Sequence, residues 1–150
     1  MSHAYVSCYI HYVFSTKDRR PLIATEMRDR LWAYLGGIAK TNGMEAVSIG
    51  GVLDHIHLLL GLPSTMPIAK AVQLVKGGSS KWVHETFPAS QGFAWQAGYG
   101  AFSVGVASLD SVIQYIQNQE AHHQTRTFQE EFLAFLKHYQ LPYDDQYIWD

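Results

Sequence analysis

The chain has 150 residues, of which 47% are hydrophobic and 16% charged, and its formal net charge is −2 with histidines neutral. That size carries one domain with a real core. The absence of a run of about 18 apolar residues argues against a membrane span, and the slightly acidic balance argues against a protein coated in nucleic acid.

Residues 4–16, "AYVSCYIHYVFST", are β-branched and aromatic in alternation and predict a strand. Val6, Cys8, Ile10, Tyr12 and Phe14 fall on one face, and Ser7, Tyr9, His11 and Val13 on the other. "KDRRP" ends it as a turn. Met27, Leu31, Tyr34, Leu35 and Ile38 then recur at three- and four-residue steps, predicting a helix that Thr25 can cap and Gly43 can stop. "EAVSIGGVLDHIHLLLGLP" holds two strands that read as a hairpin around Gly50 and Gly51. Pro67 suits the first turn of a second helix running to about Glu85, with "KGGSSK" marking a bend or an early end. "FPASQGFAWQAGYG" reads as a loop and "AFSVGVAS" as a strand. Ser108 can cap a third helix through about His123, and a fourth is expected over 128–138.

Strand, helix, strand, strand, helix, strand is the ferredoxin-like split βαβ order, an α+β class with an antiparallel sheet and helices on one face. The opposite face is expected to stay open for a ligand or partner. The chain is expected to form a single domain over 1–150, with a core at about 5–123 and a C-terminal helix and tail over 124–150. Cys8 is the only cysteine, so no internal disulfide can form, and with no basic-plus-apolar leader at the start the cytosol is the expected compartment.

His55 and His57 sit two residues apart in "DHIHLLL" and point to the same side, away from Ile56, Leu58 and Leu60. Neutral imidazole is the commonest transition-metal ligand, and two on one strand face can share an ion. Taken in isolation an H-x-H is a weak signal and more often marks two histidines hydrogen-bonded to backbone. On the third helix, Leu109, Val112, Ile113 and Ile116 form the apolar stripe, while Tyr115, Gln119 and His122 form a second stripe about 100° round from it. Tyr115 and Gln119 are one turn apart, so their side chains are neighbours. On its own such a pair suits a surface or interface contact.

"HIHLLL" followed by "YIQNQ" resembles the single-tyrosine HUH transposases of the smallest bacterial insertion sequences, the transposase IS200-like family, where HUH denotes histidine, hydrophobe, histidine. "YVSCYIHYVFSTKDRRP", "VQLVKGGSS" and "GYGAFSV" resemble that family at corresponding places, so the likeness covers about residues 5–123. It implies that Tyr115 is the nucleophile and that His55, His57 and Gln119 hold one divalent metal ion, Mg2+ or Mn2+. It implies cleavage and rejoining of single-stranded DNA through a 5′-phosphotyrosine, recognition of hairpin ends, and a homodimer with sheets joined edge to edge and shared active sites. The "AFSVGVAS" segment is the candidate edge. Lys17, Arg19, Arg20, Lys76 and Lys81 are the candidates for phosphate contact, and Tyr99 is a candidate for base stacking. His11, His122 and His123 match no catalytic position and are expected to be structural or on the surface. No separate general base is visible in the sequence. The competing readings are a host-retained relative with the same chemistry and a non-catalytic ferredoxin-like binding module. A phosphoesterase with paired histidine motifs would need a second such motif, which "CYIHYVF" does not supply.

Overall fold

The computed structural model describes residues 3–150. Four strands, β1 (Tyr9–Ser15), β2 (Glu45–Gly51), β3 (His55–Gly61) and β4 (Gly100–Val104), form one sheet in the order β2-β3-β1-β4. Every neighbouring pair is antiparallel. This is the split βαβ arrangement, and the expected α+β, ferredoxin-like class is what the chain adopts. β4, from the segment expected to form an edge, lies at one edge of the sheet, and β2 lies at the other. The helices are α1 (Arg28–Thr41), α2 (Ile68–Thr86), α3 (Leu109–Gln117), the single turn α4 (Gln119–His122) and α5 (Phe128–His138).

Alternation along the strands decides what each face holds. Ile10, Tyr12 and Phe14 of β1 join Ile56, Leu58 and Leu60 of β3 in a core closed by Leu31, Leu35 and Ala39 of α1 and Ala71, Val72 and Val75 of α2. Each of these side chains contributes roughly 1.5–3 kcal/mol if large and fully buried. The predicted interruption of α2 at "KGGSSK" does not occur, because the helix runs through it. The glycine serves packing instead. A Cβ on Gly78 would lie 2.9 Å from Ile38 Cδ1, so its absence lets α1 and α2 approach. The β2–β3 turn also differs from expectation: Gly50 and Gly51 close β2, and Val52–Asp54 form the bend.

The second face is covered, contrary to the expectation that it stays open. Ile116 of α3 packs on Leu59 and Val104. Phe128, Phe132 and Leu136 of α5 pack on Val13 and Phe102. α5 has a clear start signal, since the Thr127 side chain accepts from the Glu130 N–H and the Glu130 carboxylate takes the Thr127 N–H. The third predicted helix is broken at Asn118 (φ −101°, ψ 26°), so Tyr115 and Gln119 lie on consecutive segments rather than one regular helix. Among the described residues no helix is long and apolar enough to cross a membrane.

Candidate metal centre and nucleophile

In β1 and β3 the register sets Val13 opposite His57 and Ser15 opposite His55. Both imidazoles are fully buried under α4 and α5. Each is held by its Nδ1 from outside the cluster: His55 Nδ1 lies 2.7 Å from Asp54 Oδ1, and His57 Nδ1 lies 2.8 Å from His11 Nε2. A partner on one ring nitrogen fixes the ring and aims the other nitrogen, which is how metal-binding histidines are commonly oriented. His11, expected to be structural or on the surface, is thus the support for His57.

The two Nε2 atoms converge on Glu131 of α5. Its Oε1 lies 2.9 Å from His57 Nε2 and 3.4 Å from His55 Nε2, and its carboxylate is fully buried. A buried carboxylate is tolerable only when paired. Its Oε2 faces His123 Nε2 at 3.2 Å and Arg126 Nη2 at 3.8 Å. The His123 nitrogen is buried and makes no aligned hydrogen bond there. One donor atom from each of His55, His57, His123 and Glu131 lies within 4.8 Å of the others, which is a set able to hold a metal ion. The Gln119 carboxamide oxygen lies 3.2 Å from His55 Nε2, and its amide donates to the Tyr115 carbonyl.

The Tyr115 hydroxyl donates to Glu131 Oε2 and accepts from Arg126 Nη2 at 2.7 Å. Its ring stacks on His122 at 4.4 Å and meets His57 edge-on at 5.7 Å. Gly50 makes this placement feasible, since a Cβ there would lie 2.5 Å from the Ile116 carbonyl oxygen, next in the chain to Tyr115. The chain therefore brings Tyr115, Gln119, His55 and His57 together within a single copy.

Electrostatics follow from burial and pairing. Burial alone would lower the His55 pKa, but hydrogen bonds to Asp54 and Glu131 and their charges outweigh it and raise it to about 9. His57 moves the other way, because burial outweighs the pull of Glu131. Burial and the neighbouring His57 lower His11 to about 3, so it is a neutral partner. Burial would raise Glu131, yet His123, His55 and His57 hold it well below the carboxylate range. Burial and the Glu131 charge push the Tyr115 phenol up.

A cleft of about 1090 Å³ opens beside His123, lined by Asp18, Arg19, Arg28, Asp54 and the start of α5. A second, of about 340 Å³, opens over Tyr115 between Val112, Arg126, Phe135 and His138. Arg19 borders the first cleft, and Lys17 and Arg20 are exposed beside it. Lys76 is occupied elsewhere: its ammonium donates to the carbonyls of Gln96, Ala97 and Gly98 at 2.8, 3.2 and 2.6 Å, and burial lowers its pKa to about 8. It ties the loop before β4 to α2. Lys81 is exposed on α2 and borders neither cleft, with Glu85 4.0 Å away. Tyr99 packs near Tyr12 and the Lys76 ammonium.

Residues 4–119 match the family described as transposase IS200 like. The chain belongs to that family. The ISDra2 transposase TnpA of Deinococcus radiodurans is 27% identical over 114 residues, covering 73% of this chain and 81% of that protein. The transposase for insertion sequence element IS200 of Salmonella typhimurium is 29% identical over 87 residues, covering 58% and 57%. The crystal structure of a protein from D. radiodurans R1 described as a transposase superposes with a TM-score of 0.63 at 30% identity, covering 79% of this chain and 96% of that one. A REP-associated tyrosine transposase bound to a REP hairpin shares the fold, with a TM-score of 0.60 at 13% identity, covering 82% and 73%. As a member of the IS200-like family the chain is a single-tyrosine HUH transposase acting on single-stranded DNA. The family match stops at Gln119, so His123, Arg126 and Glu131 lie beyond it. Sequence reasoning assigned no role to Arg126 or Glu131. The legible signal was Glu131 itself, an acid inside the apolar stripe Phe128, Phe132, Phe135 at helical spacing.

Proposed function

We propose that Tyr115 cuts single-stranded DNA by attacking a scissile phosphate in line, with His55, His57 and Gln119 holding a divalent metal ion. The observation that carries this reading is the convergence of the phenol, two Nε2 atoms and a carboxamide oxygen in one pocket of one chain. The residues fit such an ion, because both strand imidazoles are braced at Nδ1 and aim Nε2 inward. When bound, the ion supplies Lewis-acid withdrawal of charge from the phosphate, Mg2+ and Mn2+ being the ions the family resemblance implies.

The chain's own groups do the rest. The Tyr115 hydroxyl is held and aimed by its hydrogen bond to Glu131 Oε2, its proton leaves to solvent as it attacks phosphorus, and the Arg126 guanidinium on the phenol oxygen favours the phenolate. The P–O bond to the 3′-oxygen breaks, the phosphotyrosine bond forms on the 5′ side, and the departing 3′-oxygen takes up a proton. Because the ester retains the bond's free energy, another 3′-hydroxyl can attack phosphorus and release Tyr115. The strand is taken to run along the cleft by Arg19, with Lys17, Arg20 and Arg126 offering charge to phosphates. DNA hairpins at element ends are the proposed partner, which the named hairpin of the REP-associated neighbour supports by fold alone. The whole chain acts as one domain, with the cytosol as its compartment.

A homodimer joined through the β4 edges is part of the proposal. Incubation with single-stranded oligonucleotides and Mn2+ should give a denaturation-resistant protein–DNA band that Tyr115→Phe abolishes. A persistent band in that variant would overturn the assignment. Mixing His57→Ala with Tyr115→Phe separates the two dimer arrangements: recovered cleavage requires the tyrosine segment to be exchanged between copies, and no recovery fits the single-chain arrangement seen here.

A further inference from the structure

We propose that the metal centre of this chain is completed from beyond the family core, with Glu131 of α5 as its carboxylate ligand and His123 as its third imidazole, and that the resulting donor set selects a transition ion such as Mn2+ over Mg2+. The inference rests on the reading of His55 and His57 as metal ligands. It concerns residues on a segment that the family match does not reach.

Four observations support it. One ring nitrogen from each of three imidazoles and a carboxylate oxygen lie within 4.8 Å of one another, a spread that a single ion can span. His123 Nε2 is buried without an aligned hydrogen bond, although its Nδ1 is engaged by the Arg126 carbonyl at 2.9 Å. It therefore repeats the arrangement of His55 and His57: one ring nitrogen held, the other aimed at the same point. Glu131 is fully buried at 0% exposure, and its two oxygens are divided, Oε1 toward the strand imidazoles and Oε2 toward Tyr115 and His123. Finally, α5 is held firmly, because the Phe128, Phe132 and Leu136 side chains anchor it on Val13 and Phe102 and the Thr127–Glu130 box fixes its start.

The chemistry of the donors then points to the ion. Mg2+ prefers six oxygen ligands and keeps several waters. Three imidazoles and one carboxylate suit borderline ions of the first transition row. Gln119 sits beside His55 as a neutral oxygen donor that adds to this set without changing its character.

The test is metal binding to the full chain, read by calorimetry and by the rise in melting temperature, with no DNA present. Wild type should bind one Mn2+ at least about tenfold more tightly than Mg2+, and Glu131→Gln should weaken Mn2+ binding about tenfold or more. If Glu131→Gln binds Mn2+ within twofold of wild type while His57→Ala loses it, the present inference fails and the two-histidine reading survives. If wild type binds neither ion, the metal reading falls as well. Pulsed electron paramagnetic resonance of Mn2+-loaded wild type needs no variant: three coordinated imidazole nitrogens support the proposal, and two remove His123 from it.

Discussion

The two faces of the sheet are made by the same strands and differ in one respect, the chemistry of alternate residues. His57 and Leu58 are adjacent, and both are essentially buried. Leu58 joins an apolar layer under α1 and α2. His57 enters a cage of imidazole, carboxylate and guanidinium under α3 to α5. The first face excludes water and supplies stability. The second also excludes water, but there exclusion strengthens the interactions among a small number of charged groups. Burial alone thus does not distinguish a core from a working site; what is buried does.

Substitutions can break this contrast from either side. The largest effect is expected from Tyr115→Phe, which should lower covalent adduct formation by roughly 10⁴-fold or more, while urea unfolding changes by only about 1 kcal/mol for the lost hydrogen bonds. Leu58→Ala should do the reverse. It should cost about 2–5 kcal/mol in urea unfolding, and the folded fraction should keep its cleavage rate per molecule. If Leu58→Ala proved as inactive as Tyr115→Phe while still folded, the two faces would not be separable in this way.

Gly50→Ala sharpens the comparison, because Gly50 belongs to the sheet but touches the tyrosine-bearing helix. Its new methyl would press on the Ile116 carbonyl, costing about 1–3 kcal/mol of stability. It should also slow cleavage by up to about 100-fold through misplacement of Tyr115. An unchanged cleavage rate would mean that the position of α3 is not set by this contact. The smallest effects belong to surface charge. Arg19→Ala should reduce the slope of log affinity against log salt by about one, measured on a single-stranded oligonucleotide. Lys81→Ala should leave both slope and stability within error, the latter within about 0.5 kcal/mol.

The strand alternation, the order of strands and helices along the chain and the apolar stripes of α1 and α3 were legible as periodicity. Periodicity reports local geometry, and here local geometry and tertiary packing agree. Two features were not legible. The apparent break at "KGGSSK" is a packing device, because a glycine facing Ile38 looks the same in sequence as a glycine that ends a helix. The covered second face depends on where α3 and the segment after Gln119 pack, a long-range event that local periodicity does not report. Of the candidate site, His55, His57, Tyr115 and Gln119 were singled out by strand and helix phase and given roles by the family resemblance, and the fold brings the four together. Glu131 was passed over because 128–138 was read only as a helix, and the acid among its phenylalanines was not asked for a partner. The bonding of Lys76 to three carbonyls was likewise not legible, since a lysine's charge says nothing about the acceptors that will meet it.

The anchoring of α5 on Val13 and Phe102 has a practical corollary for anyone who trims this chain to the stretch that matches its relatives. A recombinant fragment ending at Gln119 would lose Phe128, Phe132 and Leu136 and leave a bare oily strip along β1 and β4. Such strips drive self-association. A fragment of that kind would be expected to clump during purification, and the clumping would reflect where the cut was made and not how the intact molecule behaves.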